Sequence, residues 1–273
     1  MRYEIVQQLD DEDFKRCTGV QRSTFKQMLV IVEAGMRNFG RPTTLSRADQ
    51  LLMTLMYWRE YRTEFHIGLT YGVSESTVCR TIKKVENALI QSKQFHLPGK
   101  KALQPSDTIL EIVLVDATEQ PIERPKKGQK RHYSGKKKRH TQKAQLIADL
   151  NTELILATDF CNGKQHDFQL FKQGHYIVAE HIRILADAGY QGVSSLHSNS
   201  QTPVKKSKLH PLNQEQKAAN RALSKKRILI ENIIRKLKIF RILSERYRNR
   251  GKRFGLRFNL IAAIYNLELK PKP

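Results

Sequence analysis

Long apolar runs are missing from this sequence. None approaches the roughly 20 residues of a bilayer-spanning helix, so a membrane partner is not expected. The opening MRYEIVQQLDDEDFKRC carries acids early and has no apolar signal core. Cysteine is scarce: Cys17, Cys79 and Cys161 lie too far apart for a zinc-type pair, and free thiols in a reducing compartment are the expectation. There is no internal repeat and no long low-complexity segment. Acids are also in short supply: 26 Asp+Glu stand against 49 Lys+Arg, a formal net charge of +23. With an isoelectric point near 10.0, such a chain repels itself unless a polyanion neutralises it, which makes nucleic acid the leading partner. A length of 273 residues suffices for a substantial core and one or two domains.

The first ninety residues read as helices. STFKQMLVIVEAGM places Phe25, Met28, Leu29 and Val32 at helical spacing. In SRADQLLMTLMYWREYR, Ser46 and Asp49 form a variant capping box ahead of an apolar stripe of Leu51, Leu52, Leu55 and Met56. TEFHIGLTYGVSESTVCRTIKKVENALI then has the grammar of a helix-turn-helix. Gly68 permits close approach, Gly72 supplies a positive φ, Val73 plugs the core and Ser74 caps the second helix. With Val78, Ile82 and Val85 facing inward, Ser76, Thr77, Arg80, Lys83 and Lys84, together with Glu75, are left for a DNA groove and its phosphates. The plainer rival is a helical hairpin with solvated charges. A boundary is expected in SKQFHLPGKKALQP, giving domains 1–95 and 96–273.

The second part alternates strands and helices. ILEIVLVDATE begins as a strand buried on both faces and then delivers Asp116 and Glu119 where it should surface. The basic stretch QPIERPKKGQKRHYSGKKKRH reads as a loop or strand-edge excursion, with Lys136, Lys137, Lys138 and Arg139 offered to phosphate. AQLIADL and ELILATDFC follow as a hairpin, GKQHDFQLFKQG as a short helix, and IRILADAGYQG as a strand ending at Asp187. TPVKKS is a short strand candidate. NQEQKAANRALSKKRILIENIIRKLKIF is a long helix that sets Arg227, Glu231 and Lys238 close to one line. Three carboxylates brought together repel unless a cation is present, and all-oxygen ligands suit Mg²⁺ or Mn²⁺. For Glu231 the plainer reading is an ion pair with Arg227 or Arg235.

In this order, LVDATE, NGKQHDFQLF, ADAGYQG and RILIENIIRKLKIF behind a helix-turn-helix make the chain resemble DDE transposases of bacterial insertion sequences, of the IS-five and Harbinger-like group, over nearly its whole length. The resemblance implies a ribonuclease H-like α/β fold, a mixed sheet flanked by helices, after an all-α front end. It implies Asp116, Asp187 and Glu231 as catalytic and metal-binding residues for two Mg²⁺ ions, with Mn²⁺ as substitute. It matches Arg227 and Lys238 to auxiliary positions, and His166 and Asp167 to a recurring pair that supports the metal ligands, serves structure or acts in catalysis. The family's tyrosine would fall at Ser224, a departure from the pattern. It further implies cleavage at transposon ends and 3′-hydroxyl transfer to target DNA without a covalent intermediate. Homo-oligomers on DNA and a bacterial cytoplasmic, nucleoid-associated location belong to the same expectation. The alternatives are a nuclease of the same fold without strand transfer and a non-catalytic DNA binder derived from a transposase.

Overall fold

The computed structural model describes residues 2–36, 43–105, 110–206, 211–249 and 251–269. The chain divides into two compact units: Met1–His96 with Leu237–Glu245 and Leu256–Pro273, and Leu97–Lys236 with Arg246–Gly255.

The first unit is helical: α1 (Tyr3–Val6), α2 (Asp11–Thr18), α3 (Arg22–Gly35), α4 (Arg47–Arg59), α5 (Glu64–Tyr71) and α6 (Glu75–Gln91). Local chemistry starts each of the later helices. Ser46, Thr63 and Ser74 accept from the backbone N–H of Asp49, His66 and Thr77, and each such cap contributes about 1 kcal/mol. α5 stops at Gly72, whose φ of +67° is left-handed, so the turn into α6 is one that glycine adopts without strain. α4 is buried from Asp49 through Trp58 without a break, not along one stripe as its sequence suggests. It packs against α2, α3, α6 and the turn at 241–243, and the unit also takes in residues 256–269 of the last helix, α10 (Phe254–Leu269), whose Arg257 lies over the Tyr57 ring of α4. Arg257 of α10 donates to Glu86 Oε1 at 2.6 Å, and Trp58 Nε1 donates to the same oxygen at 3.2 Å. By contact, residues 237–245 and 256–269 group with the helical unit.

The second unit is built on a sheet of β1 (Ile112–Pro121), β2 (Tyr133–Ser134), β3 (Arg139–Asp149), β4 (Ile155–Asn162), β5 (Arg183–Ala186) and β6 (Ser200–Gln201). β1 is central. It pairs antiparallel with β3 and parallel with β5; β4 and β2 extend β3, and β6 extends β5 in parallel. The short helices α7 (Gln129–His132) and α8 (Asp167–Gln173) and the long α9 (Gln214–Leu237) complete the unit. A mixed sheet flanked by helices is the ribonuclease H-like arrangement that the family resemblance implied. Val113 and Val115 join Ile147, Ile184, Ala186, Phe171 and Tyr190 in one core, while Leu114 and Leu185, pointing the other way, are equally buried. Burial on both faces explains the unbroken apolar run of β1.

Several local expectations are corrected. The strand read from ILEIVLVDATE does not end at Asp116, which is the fifth of ten residues in β1; Ile109 lies outside the described residues. TPVKKS is not a strand: pairing ends at Gln201, and Pro203 has no N–H to continue it; Ser207 lies outside the described residues. Lys238 does not share the helix of Arg227 and Glu231, because α9 ends at Leu237.

Candidate active site

The register of β1 with β5 organises the site. Their parallel pairing runs from Ile112↔Arg183 to Val115↔Ala186, and it stops there. The residue after this last pair is an aspartate on each segment, Asp116 still within β1 and Asp187 just past β5, so the two acids stand where β1 and β5 part. β1 continues to Pro121 paired with β3 alone. Asp187 caps a short turn, its Oδ1 accepting from Gly189 N–H at 2.7 Å. Asp116 Oδ1 accepts from Ala117 N–H at 2.8 Å.

The third acid comes from α9. That helix lays Ile230, Ile233 and Leu237 into the interior and leaves Glu231 58% exposed at the side chain. Arg227, one turn earlier, reaches between the groups: its Nη2 lies 3.8 Å from Asp116 Oδ2 and 3.9 Å from Glu231 Oε1. Both separations exceed hydrogen-bond length. Arg227 Nε is buried and has no hydrogen-bond partner among the described residues. The guanidinium thus spans the two carboxylates by charge and closes on neither.

The electrostatics of Asp116 report the same grouping. Burial pushes its carboxyl up to about 6; the Ala117 N–H and Arg227 pull it down, and the charges of Asp187 and Glu231 push it up again. Burial also drives the Tyr190 hydroxyl well above its ordinary range, helped by Asp167, Asp116 and Asp187. Tyr190 therefore stays a neutral phenol, donating to Gln145 Oε1 at 3.1 Å.

Among the described residues, no three His, Cys, Asp or Glu side chains stand close enough together to hold one ion between them. The donor chemistry still fits a hard divalent cation: three carboxylates, each of Asp116 and Asp187 with one oxygen tied to backbone, and a cationic side chain, Arg227, drawn towards two of them. Ser224 is exposed on α9. His166 precedes α8 without making a side-chain cap, and Asp167 pairs with Lys143 at 2.7 Å. Lys143 was not singled out in the sequence, because a lysine in HTQKAQLIADL reads by default as a solvated strand position.

The basic residues are placed by a hairpin. Lys136, Lys137 and Lys138 occupy the turn between β2 and β3, and Arg139 opens β3; all four are exposed, and no acid pairs with them among the described residues. In the helical unit, Ser76, Arg80, Lys83 and Lys84 are exposed on α6, and Val78, Ile82 and Val85 are buried as expected. Thr77 is engaged locally: its hydroxyl lies 2.9 Å from Ser74 Oγ, and Arg80 reaches it at 3.5 Å.

Two family models match. Residues 108–267 match the model described as "Transposase DDE domain", and residues 43–94 the one described as "Helix-turn-helix of DDE superfamily endonuclease". A protein described as "Probable transposase for insertion sequence element IS702", from Microchaete diplosiphon, is 49% identical over 275 residues, covering 100% of both chains.

Proposed function

The chain belongs to the DDE transposase family of insertion sequences, and from that premise we propose that it cuts the ends of its own element and joins them to target DNA, using Asp116, Asp187 and Glu231. Transposition acts on DNA, and members of the family use divalent metal ions. When bound, two Mg²⁺ ions, or Mn²⁺ in their place, would activate a water or 3′-hydroxyl and stabilise the leaving oxygen of the phosphodiester.

The chain's own residues do the rest. Asp116 and Asp187 offer paired oxygens where β1 and β5 separate, and Glu231 closes the set from α9. Arg227 offsets the mutual repulsion of the carboxylates and can shift towards a phosphate when they are otherwise neutralised. Lys136, Lys137, Lys138 and Arg139 bind the DNA backbone. Ser76, Thr77, Arg80, Lys83 and Lys84 read and grip the terminal repeats. Two ends must be joined in one event, which calls for a homo-oligomer on DNA. Among the described residues no helix is long and apolar enough to cross a membrane, and the place of action is the bacterial nucleoid in the cytoplasm.

The observation that carries this reading is the register that makes Asp116 and Asp187 next neighbours beyond the last parallel pair. The test starts from the DNA flanking the encoding gene. Inverted repeats found there, incubated with the protein and Mg²⁺, should be cut to leave a 3′-hydroxyl and then joined to a target plasmid. Cutting without joining would make it a nuclease of the same fold; binding without cutting would make it a DNA-binding derivative.

A further inference from the structure

Lys143, on β3, is only 5% exposed, a position in which an ammonium is almost never found unless paired. It donates to Gln165 O at 2.6 Å, lies 2.7 Å from Asp167 Oδ1, and stands 3.9 Å from Glu119 Oε1. Asp167 Oδ1 receives no well-angled hydrogen bond among the described residues, so Lys143 holds it by charge. Glu119 is fixed from its other oxygen, which accepts from Thr141 Oγ1 at 2.9 Å. One ammonium therefore ties β1, β3 and the turn leading into α8.

The other oxygen of Asp167 faces the acidic site. A Cβ built on Gly189 would lie 2.7 Å from Asp167 Oδ2 and 2.9 Å from Asp187 Oδ1, so the two carboxylates bracket the same glycine. Asp167 stands beside Asp187 as a fourth acid, and unlike the other three it has a buried lysine against it, Lys143, which also faces Glu119. Without Lys143, Asp167 would face Glu119 and Asp187 uncompensated and would turn towards solvent, since it is already 26% exposed at the side chain.

We infer that Lys143 is a positioning residue that fixes Asp167 beside Asp187, where Asp167 serves as an outer-sphere carboxylate of the divalent-cation site. This rests on the assignment of Asp116 and Asp187 to such a site. Partners of this kind orient the ligating groups and the waters of the ion, and their loss commonly weakens metal binding about 10–100-fold.

The test is titration of the full-length protein with Mn²⁺ in the absence of DNA, followed by electron paramagnetic resonance of the free ion. Asp167→Asn and Lys143→Met should each weaken Mn²⁺ binding by about tenfold or more. The double variant should bind no more weakly than Asp167→Asn alone, because Lys143 acts through Asp167. Lys143→Arg, which keeps the charge, should restore most of the affinity. If Lys143→Met lowers only the melting temperature, the lysine is a structural clip and the inference is overturned. Tighter Mn²⁺ binding would overturn it too, as Lys143 would then merely repel the ion, and so would additive losses in the double variant. Should Lys143→Met fail to fold, Asp167→Asn decides alone: unchanged affinity sinks the idea. Asp116→Asn separates the two levels. If it leaves Mn²⁺ binding intact, the cation site itself is misassigned and this inference goes with it. If it abolishes binding while Asp167→Asn and Lys143→Met do not disturb it, only the role of Lys143 is wrong.

Discussion

Each unit of the molecule contains an arginine facing carboxylate, and the two behave differently. In the helical unit, Arg257 and Glu86 are 2% and 0% exposed and meet at 2.6 Å, with Trp58 donating to the same oxygen and Tyr57 lying under the guanidinium at 5.1 Å. In the sheet unit, Arg227 stays 3.8 Å from Asp116 and 3.9 Å from Glu231, and Glu231 is half in solvent. The chemical groups are the same. A closed pair commits its charges to permanent partners and helps specify one packing of helices. An open pair leaves its carboxylates responsive to another cation, and the Asp116 carboxyl is raised to about 6, by burial first and by the charges of Asp187 and Glu231 after it. The pair in the helical unit is closed, and the one in the sheet unit, which we propose as functional, is open.

The largest effect should come from the open pair. Asp116→Asn should abolish Mg²⁺- or Mn²⁺-dependent cleavage of end DNA while leaving end binding and the melting temperature near those of the parent. Normal cleavage by this variant would remove Asp116 from the site and break the comparison at its centre. The closed pair should respond in the opposite way. Glu86→Gln removes the carboxylate that Arg257 meets at 2.6 Å, and losing one partner of a buried ion pair typically costs about 3–5 kcal/mol. For a chain of this size that corresponds to a fall on the order of 10 °C in thermal unfolding, with cleavage preserved in whatever remains folded. A melting temperature unmoved by Glu86→Gln would show that closure is not what stabilises the helical unit.

Two smaller effects sharpen the contrast on the DNA side. Replacing Lys136, Lys137 and Lys138 by Gln, at the β2–β3 turn of the sheet unit, should flatten the dependence of log K on log salt by about 0.9 for each phosphate left without its lysine. Preference for end DNA over random DNA should hardly change, since phosphates carry no direct sequence information. Binding titrations at several salt concentrations on both DNAs read this out, and an unaltered slope would make the turn a solvated charge run. The mildest change should be Arg80→Ala on α6 of the helical unit, costing roughly 1–3 kcal/mol at one base position if the arginine grips the base with two hydrogen bonds. A competition assay in which every sequence weakens equally would assign Arg80 to a phosphate instead.

Local rules acted over a few residues and were legible without tertiary structure. The caps at Ser46 and Ser74, the left-handed Gly72 and the inward Val78, Ile82 and Val85 define the helix-turn-helix because a cap or turn is settled by its own neighbours. The apolar, β-branched run ahead of Asp116 identified a strand buried on both faces for the same reason. Its register was not legible. That β5 pairs with β1 only as far as Val115↔Ala186 is a non-local choice, made by the total burial of two strands far apart in the chain, and it alone puts Asp116 next to Asp187. Three further points also needed the tertiary structure. The grouping of 256–269 with the helical unit gives Glu86 its arginine. The end of α9 at Leu237 leaves Lys238 one residue beyond the helix that carries Arg227 and Glu231. The convergence of Glu119, Gln165 and Asp167 turns a strand lysine, Lys143, into a buried one. Sequence by itself determined which residue types and elements were available to this protein; which charges ended up neighbours was decided only when distant segments competed for the same core, because burial and ion pairing are set by what lies across the fold and not by what lies along the chain.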